Sequence, residues 1–117
     1  MKVAPSEHVL HCAVAEWLGY QRHVVWWTVD QTALHGRHGA TLKRKGVRAG
    51  VADLHFVLPG GRLGCIELKA EKGKQTPTQV EFQTNIASKG ALYAVCKSLP
   101  EVEGTLKGWG VLKERAA

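Results

Sequence analysis

Apolar residues recur at helical spacing near the start of the chain: Val9, Leu10, Ala13, Val14, Trp17 and Leu18 form a stripe, with Glu7, His8, His11 and Glu16 lying off it. Pro5-Ser6 opens this segment and Gly19 ends it, so a first helix is predicted. Residues 24–29, Val-Val-Trp-Trp-Thr-Val, are short, β-branched and aromatic, which predicts a strand buried on much of both faces. From residue 30 to residue 50 the periodicity disappears, and Gly36, Gly39, Gly46 and Gly50 are interspersed with Arg37, Lys43, Arg44, Lys45 and Arg48. This stretch reads as a basic, glycine-punctuated loop.

Two apolar runs, residues 54–58 and 63–68, flank Pro59-Gly60-Gly61-Arg62, a turn-rich tetrapeptide that predicts an antiparallel hairpin. Thr76-Pro77-Thr78-Gln79 is a capping-box pattern with Pro at the first helical position. It predicts a helix with Val80, Phe82 and Ile86 as its apolar face and Gly90 as its stop. Residues 91–96 read as a further strand, and Ser98-Leu99-Pro100-Glu101 opens a last helix running to about Lys107. The expected fold is therefore α/β, in the order α-β-β-β-α-β-α, with a central mixed β-sheet flanked by helices.

At 117 residues the chain is read as a single domain, residues 1–117, with one modest core. No apolar run approaches the about 18 residues of a membrane span, and the first residues lack the apolar core of a secretory signal, so a cytoplasmic, membrane-free protein is expected. Cys12, Cys65 and Cys96 are odd in number, widely spaced and flanked by apolar residues. They are expected to be buried thiols rather than a disulfide framework or zinc ribbon. Sixteen Lys and Arg against ten Asp and Glu leave a net charge of +6, which favours a polyanionic partner.

Charged residues inside the two hairpin strands carry the chemistry. Strand side chains alternate faces, so Glu67 and Lys69 point the same way, and Asp53, at the start of the neighbouring strand, lies laterally beside them. Two carboxylates held together repel, and a divalent cation relieves that cost. Asp53 and Glu67 offer the hard oxygens that suit Mg²⁺ or Mn²⁺, with Lys69 placed to stabilise charge developing on a phosphate. The bare E-x-K spacing also arises by chance, and such residues at strand ends often form only a surface ion pair. The strand context, the upstream Asp and the basic loop leading into it favour a site.

Gly46-Val47-Arg48-Ala49-Gly50-Val51-Ala52-Asp53, then Ile66-Glu67-Leu68-Lys69, then Thr76-Pro77-Thr78-Gln79, resemble the VRR-NUC family, the virus-type replication-repair nucleases of the PD-(D/E)XK superfamily. The resemblance covers most of the chain. It implies a metal-dependent phosphodiesterase on a restriction-endonuclease-like core, with Asp53 and Glu67 as metal ligands and the Leu68 carbonyl as a further one. It also implies Lys69 as the catalytic lysine, Gln79 as a helix glutamine near the site, and Glu7, preferred over Glu16, as the first-helix acid. The chain departs from the family pattern at Ala52, where Pro is frequent, and at Val29-Asp30-Gln31, where a Pro-Asn-Gly-like stretch is common.

Lys43, Arg44, Lys45 and Arg48 are read as phosphate contacts, since they adjoin the proposed metal site and lack balancing acids. His8, His11, His23, His35 and His38 have no Cys or carboxylate set to complete a transition-metal site and are left outside it. Trp17, Trp26 and Trp27 fit core or interface packing better than base stacking, and Trp109, isolated between glycines, is read as a docking residue for a partner subunit. The expected function is a structure-selective DNA endonuclease, in a bacterial or phage-infected cell, with no organic cofactor. Small members of the family resemble Holliday-junction resolvases, so branched DNA and a homodimer are expected; a non-catalytic DNA-binding module of the same fold is the alternative.

Overall fold

The computed structural model describes residues 5–112. Helix α1 (Glu7–Gly19) starts at Ser6, whose side chain accepts from the Val9 amide, and presents Leu10, Val14 and Leu18 to the interior. Strand β1 (Val25–Thr28) leads into a 3₁₀ turn (Thr32–His35) and a short helix α2 (Gly39–Arg44). Strands β2 (Leu54–Val57) and β3 (Leu63–Leu68) follow, joined through Pro59–Gly61. Helix α3 (Pro77–Ser88) crosses from β3 to β4 (Leu92–Cys96), and α4 (Leu99–Gly108) completes the described chain.

The four strands lie in the order β1-β2-β3-β4. The first two pairings are antiparallel and the β3–β4 pairing is parallel, as a crossover helix between two strands requires. The mixed sheet and flanking helices agree with the predicted class. The order differs in one place, because the stretch read as a plain basic loop folds into the 3₁₀ turn and α2. Leu34 is buried there, α2 packs against the 3₁₀ turn, and the Val47 amide donates to the Leu42 carbonyl. One apolar anchor and local hydrogen bonds hold this helix, which is why no period announces it.

Alternation along the strands sorts the residues onto two faces. Leu54, Phe56, Ile66, Leu68 and Cys96 face α1 and α4, where they join Leu10, Val14, Leu18, Val102 and Leu106 in the core. The opposite face carries His55, Cys65, Glu67 and Tyr93, and over it lies α3.

Several buried-core expectations change on this second face. Strand β1 is an edge strand: Trp26 packs on the core, but Val25 is 58% and Trp27 43% exposed, and among the described residues no helix covers that part of the sheet. Among the described residues of α3 none is fully buried; Phe82 and Ile86 are half-buried and Val80 is exposed. Cys65 and Cys96 are buried thiols, whereas Cys12 is exposed on the outer side of α1. Trp109 packs against the core instead of standing free, over Gly64, where an added Cβ would come within 2.9 Å of the indole ring.

Candidate active site

Strand β2 pairs with β3 so that Leu54 faces Ile66, and extending that register by one residue sets Asp53 opposite Glu67. Asp53 is held from both sides. Its carbonyl accepts from the Val29 amide at 3.1 Å and from the Thr28 hydroxyl at 2.9 Å, and its carboxylate Oδ2 accepts from the Leu68 amide at 2.7 Å. A carboxylate bonded to the backbone of the strand that bears Glu67 has little freedom to turn away.

Glu67 lies in β3 and Lys69 just past its end, and Lys69 Nζ lies 3.8 Å from Glu67 Oε1. Both are buried, with exposures of 2% and 6%. The Gln79 side-chain amide donates to Glu67 Oε1 at 2.8 Å, while its own Oε1 accepts from the Thr76 amide, closing the capping box at the start of α3. The sequence prediction for Gln79 thus offered two roles, helix cap and site residue, and the side chain occupies both positions at once.

Glu67 Oε2 is buried and, among the described residues, has no hydrogen-bond partner. Burial pushes the Glu67 carboxyl up to about 8; the Asp53 charge and hydrogen bonding add to the rise, Lys69 opposes it, and Glu7 raises it further. Glu7, in the first turn of α1, is therefore within electrostatic reach of the acidic pair. Glu16 exerts no such influence.

A buried carboxylate oxygen with no partner, beside a second carboxylate, fits a hard divalent cation better than an empty pocket. Among the described residues no group of three or more His, Cys, Asp or Glu is placed to hold a metal ion by itself. Two adjacent carboxylates suit the sparse protein ligation of Mg²⁺, which keeps several waters, and not the closed cage of a structural zinc.

The basic residues lie in the segment that leads to Asp53. Lys43 and Arg44 end α2, Lys45 caps it, and Arg48 follows in the connection to Asp53. All four are exposed and, among the described residues, none forms an ion pair. The connection is pinned to α3 at Gly50, which has φ +82° and passes so close to Thr78 that a Cβ would lie 2.7 Å from the Thr78 carbonyl oxygen.

Two residues left out by sequence reasoning support the site. His11 Nε2 lies 3.0 Å from Thr28 Oγ1, and because that hydroxyl donates to the Asp53 carbonyl, the imidazole serves as donor. This link crosses 17 and then 25 positions of sequence, a separation that no local pattern signals. Tyr93 also lies near the acids; burial chiefly pushes its phenol up to about 12, and Gln75 donates to its oxygen at 3.2 Å.

A family model described as the VRR-NUC domain matches residues 6–100. The chain belongs to the VRR-NUC family. This is a nuclease family, and its members in solved structures share the fold described above. One, a VRR_NUC domain protein, has a TM-score of 0.73 at 22% identity, over 92% of this chain and 89% of that one. Another, a VRR_NUC domain, gives 0.62 at 19% identity over 90% and 99%. Among curated proteins none matches significantly. The VRR-NUC match spans Asp53, Glu67, Lys69 and Gln79, the residues the sheet and α3 bring together. Among the described residues, no helix of this VRR-NUC chain is long and apolar enough to cross a membrane.

Proposed function

We propose that this VRR-NUC protein is a Mg²⁺- or Mn²⁺-dependent, structure-selective DNA endonuclease that acts on branched DNA such as a four-way junction, as a homodimer. The observation that carries the reading is the buried, partnerless Glu67 Oε2 set beside Asp53 and next to an equally buried lysine. Asp53, Glu67 and the Leu68 carbonyl would hold the cation. A bound divalent ion supplies a water of lowered pKa and neutralises charge on the phosphate.

The chain's own groups do the rest. Gln79 steadies the Glu67 carboxylate, and the Leu68 amide and Thr28 fix Asp53 at its two ends. Lys69 directs its amino group into a site nearly closed to water, where it stabilises the extra negative charge of the phosphate as the bond breaks. Lys43, Arg44, Lys45 and Arg48 grip the sugar-phosphate backbone without reading sequence. A two-fold dimer places two such sites symmetrically, which suits paired cuts in a four-way junction.

The test is a panel of labelled four-way junction, splayed arm, flap and linear duplex with Mg²⁺, Mn²⁺ or EDTA. Cleavage of the junction ahead of linear duplex, blocked by EDTA, is the expected result. Binding to the panel with no substrate cut by either metal would replace the enzyme with a non-catalytic DNA-binding module.

A further inference from the structure

A cleft of about 170 Å³ opens between α3 and residues 48–49, lined by Arg48, Thr78, Glu81, Phe82, Asn85 and Ile86. Drug-sized pockets begin at roughly 300 Å³, so this one suits a single flat ring system and not a whole nucleotide. Phe82 and Ile86 supply an apolar surface. Arg48, Glu81 and Asn85 bring a cation, an anion and an amide to the same opening, and none of these side chains bonds to another described residue. Polar groups of three kinds thus stand unpaired beside Phe82, whose ring also meets His55 and Tyr93 of the sheet.

Both walls lead into the acidic pair. Arg48 and Ala49 precede Asp53 in the connection that Gly50 pins against Thr78, and Thr78 itself adjoins Gln79, the partner of Glu67. A strand with its phosphate at Asp53 and Glu67, and its backbone on the neighbouring lysines and arginines, thus has an adjacent base beside the cleft. We propose that the cleft receives one unpaired guanine of the bound strand, which stacks on Phe82 and is read by Glu81 and Asn85. The inference rests on the DNA-binding part of the proposed function.

Guanine follows from the donor and acceptor pattern. A carboxylate accepts two hydrogen bonds side by side, and only guanine presents two adjacent donors, N1–H and the exocyclic N2–H, on one edge. Its neighbouring O6 accepts from the Asn85 amide or from Arg48. In duplex DNA that edge is engaged by cytosine, so the base must be unpaired, as at a branch point, or drawn out of the helix. The cleft would therefore convert an unpaired base into register for the cut.

The test reads binding in EDTA, independent of cleavage, by fluorescence anisotropy of oligothymidylate carrying one central dT, dG or deoxyinosine. A carboxylate-read base contact predicts that dG strengthens binding by roughly fivefold or more. Deoxyinosine, which lacks the N2 amino group, loses most of that gain. Glu81→Gln abolishes it and Asn85→Ala reduces it, while the affinity for the all-thymidine strand is retained. Equal binding of dG and dT strands, or a dG gain that survives Glu81→Gln, overturns the proposal. Both substituted residues are exposed, so misfolding does not obscure the result. Absence of cleavage in the junction panel would remove the nuclease reading and leave this binding measurement unaffected.

Discussion

On one face of the sheet Leu54, Phe56, Ile66 and Leu68 are covered completely by α1 and α4, whereas on the other face the same strands carry His55, Cys65 and Glu67 beneath a single helix without one fully buried residue. The first face buries apolar groups and asks nothing of them but shape. The second buries a carboxylate beside another carboxylate and leaves one of its oxygens without a partner. An arrangement this unfavourable persists only where the rest of the structure over-determines it. The packed face supplies the surplus of stability and the site face spends it on chemistry.

The comparison breaks most sharply at Phe56, fully buried on the packed face. Phe56→Ala is expected to cost about 3–5 kcal/mol, a large share of the stability of a domain this size, measured by urea unfolding. A loss below about 1 kcal/mol would mean that the packed face does not hold the fold. Lys69→Ala, on the site face, should leave a folded protein whose junction cleavage falls by about 10²–10³-fold while junction affinity changes little. Full activity in that variant would remove Lys69 from the chemistry.

The metal-free protein sharpens the contrast through pH. The Glu67 carboxyl is raised in the fold from 4.5 to about 8, so between these values the folded state holds a proton that the unfolded state has released. Stability in EDTA should therefore be greatest below about pH 4.5 as far as Glu67 is concerned and fall as pH rises toward 8. The fall is followed by thermal melts across the window. Glu67→Gln should flatten that slope, and a slope unchanged in the variant would assign it to another group. The smallest effect is expected at Val57, 42% exposed on the uncovered part of the site face. Val57→Thr should shift stability by no more than about 0.5 kcal/mol, and a larger loss would reveal packing there that the fold does not display.

The hairpin and its acids were legible because alternation and a tight turn are local signals: Leu54 to Leu58, Pro59-Gly60-Gly61 and Ile66-Glu67-Leu68-Lys69 together predict which side chains share a face. The start of α3 was legible for the same reason, since Thr76 and Gln79 write the capping box into four residues. Coverage of a face is not local. Val25 and Trp27 have the composition of buried strand residues, and their exposure follows from the edge position of β1, over which no described helix lies. Helix α2 escaped because Leu34 alone anchors its region, which gives no period to detect. The link from His11 through Thr28 to Asp53 escaped because it exists only after three segments meet.

Gln79 uses both ends of one amide, the oxygen on the Thr76 backbone and the nitrogen on Glu67. A terminal turn of helix, ordinarily the first part of a helix to fray, is thereby wired to the acid at the centre of the site. Opening of that turn would withdraw the amide from Glu67 and leave Lys69 as the neighbour of its Oε1, so the order of a helix end and the setting of the acid are tied together.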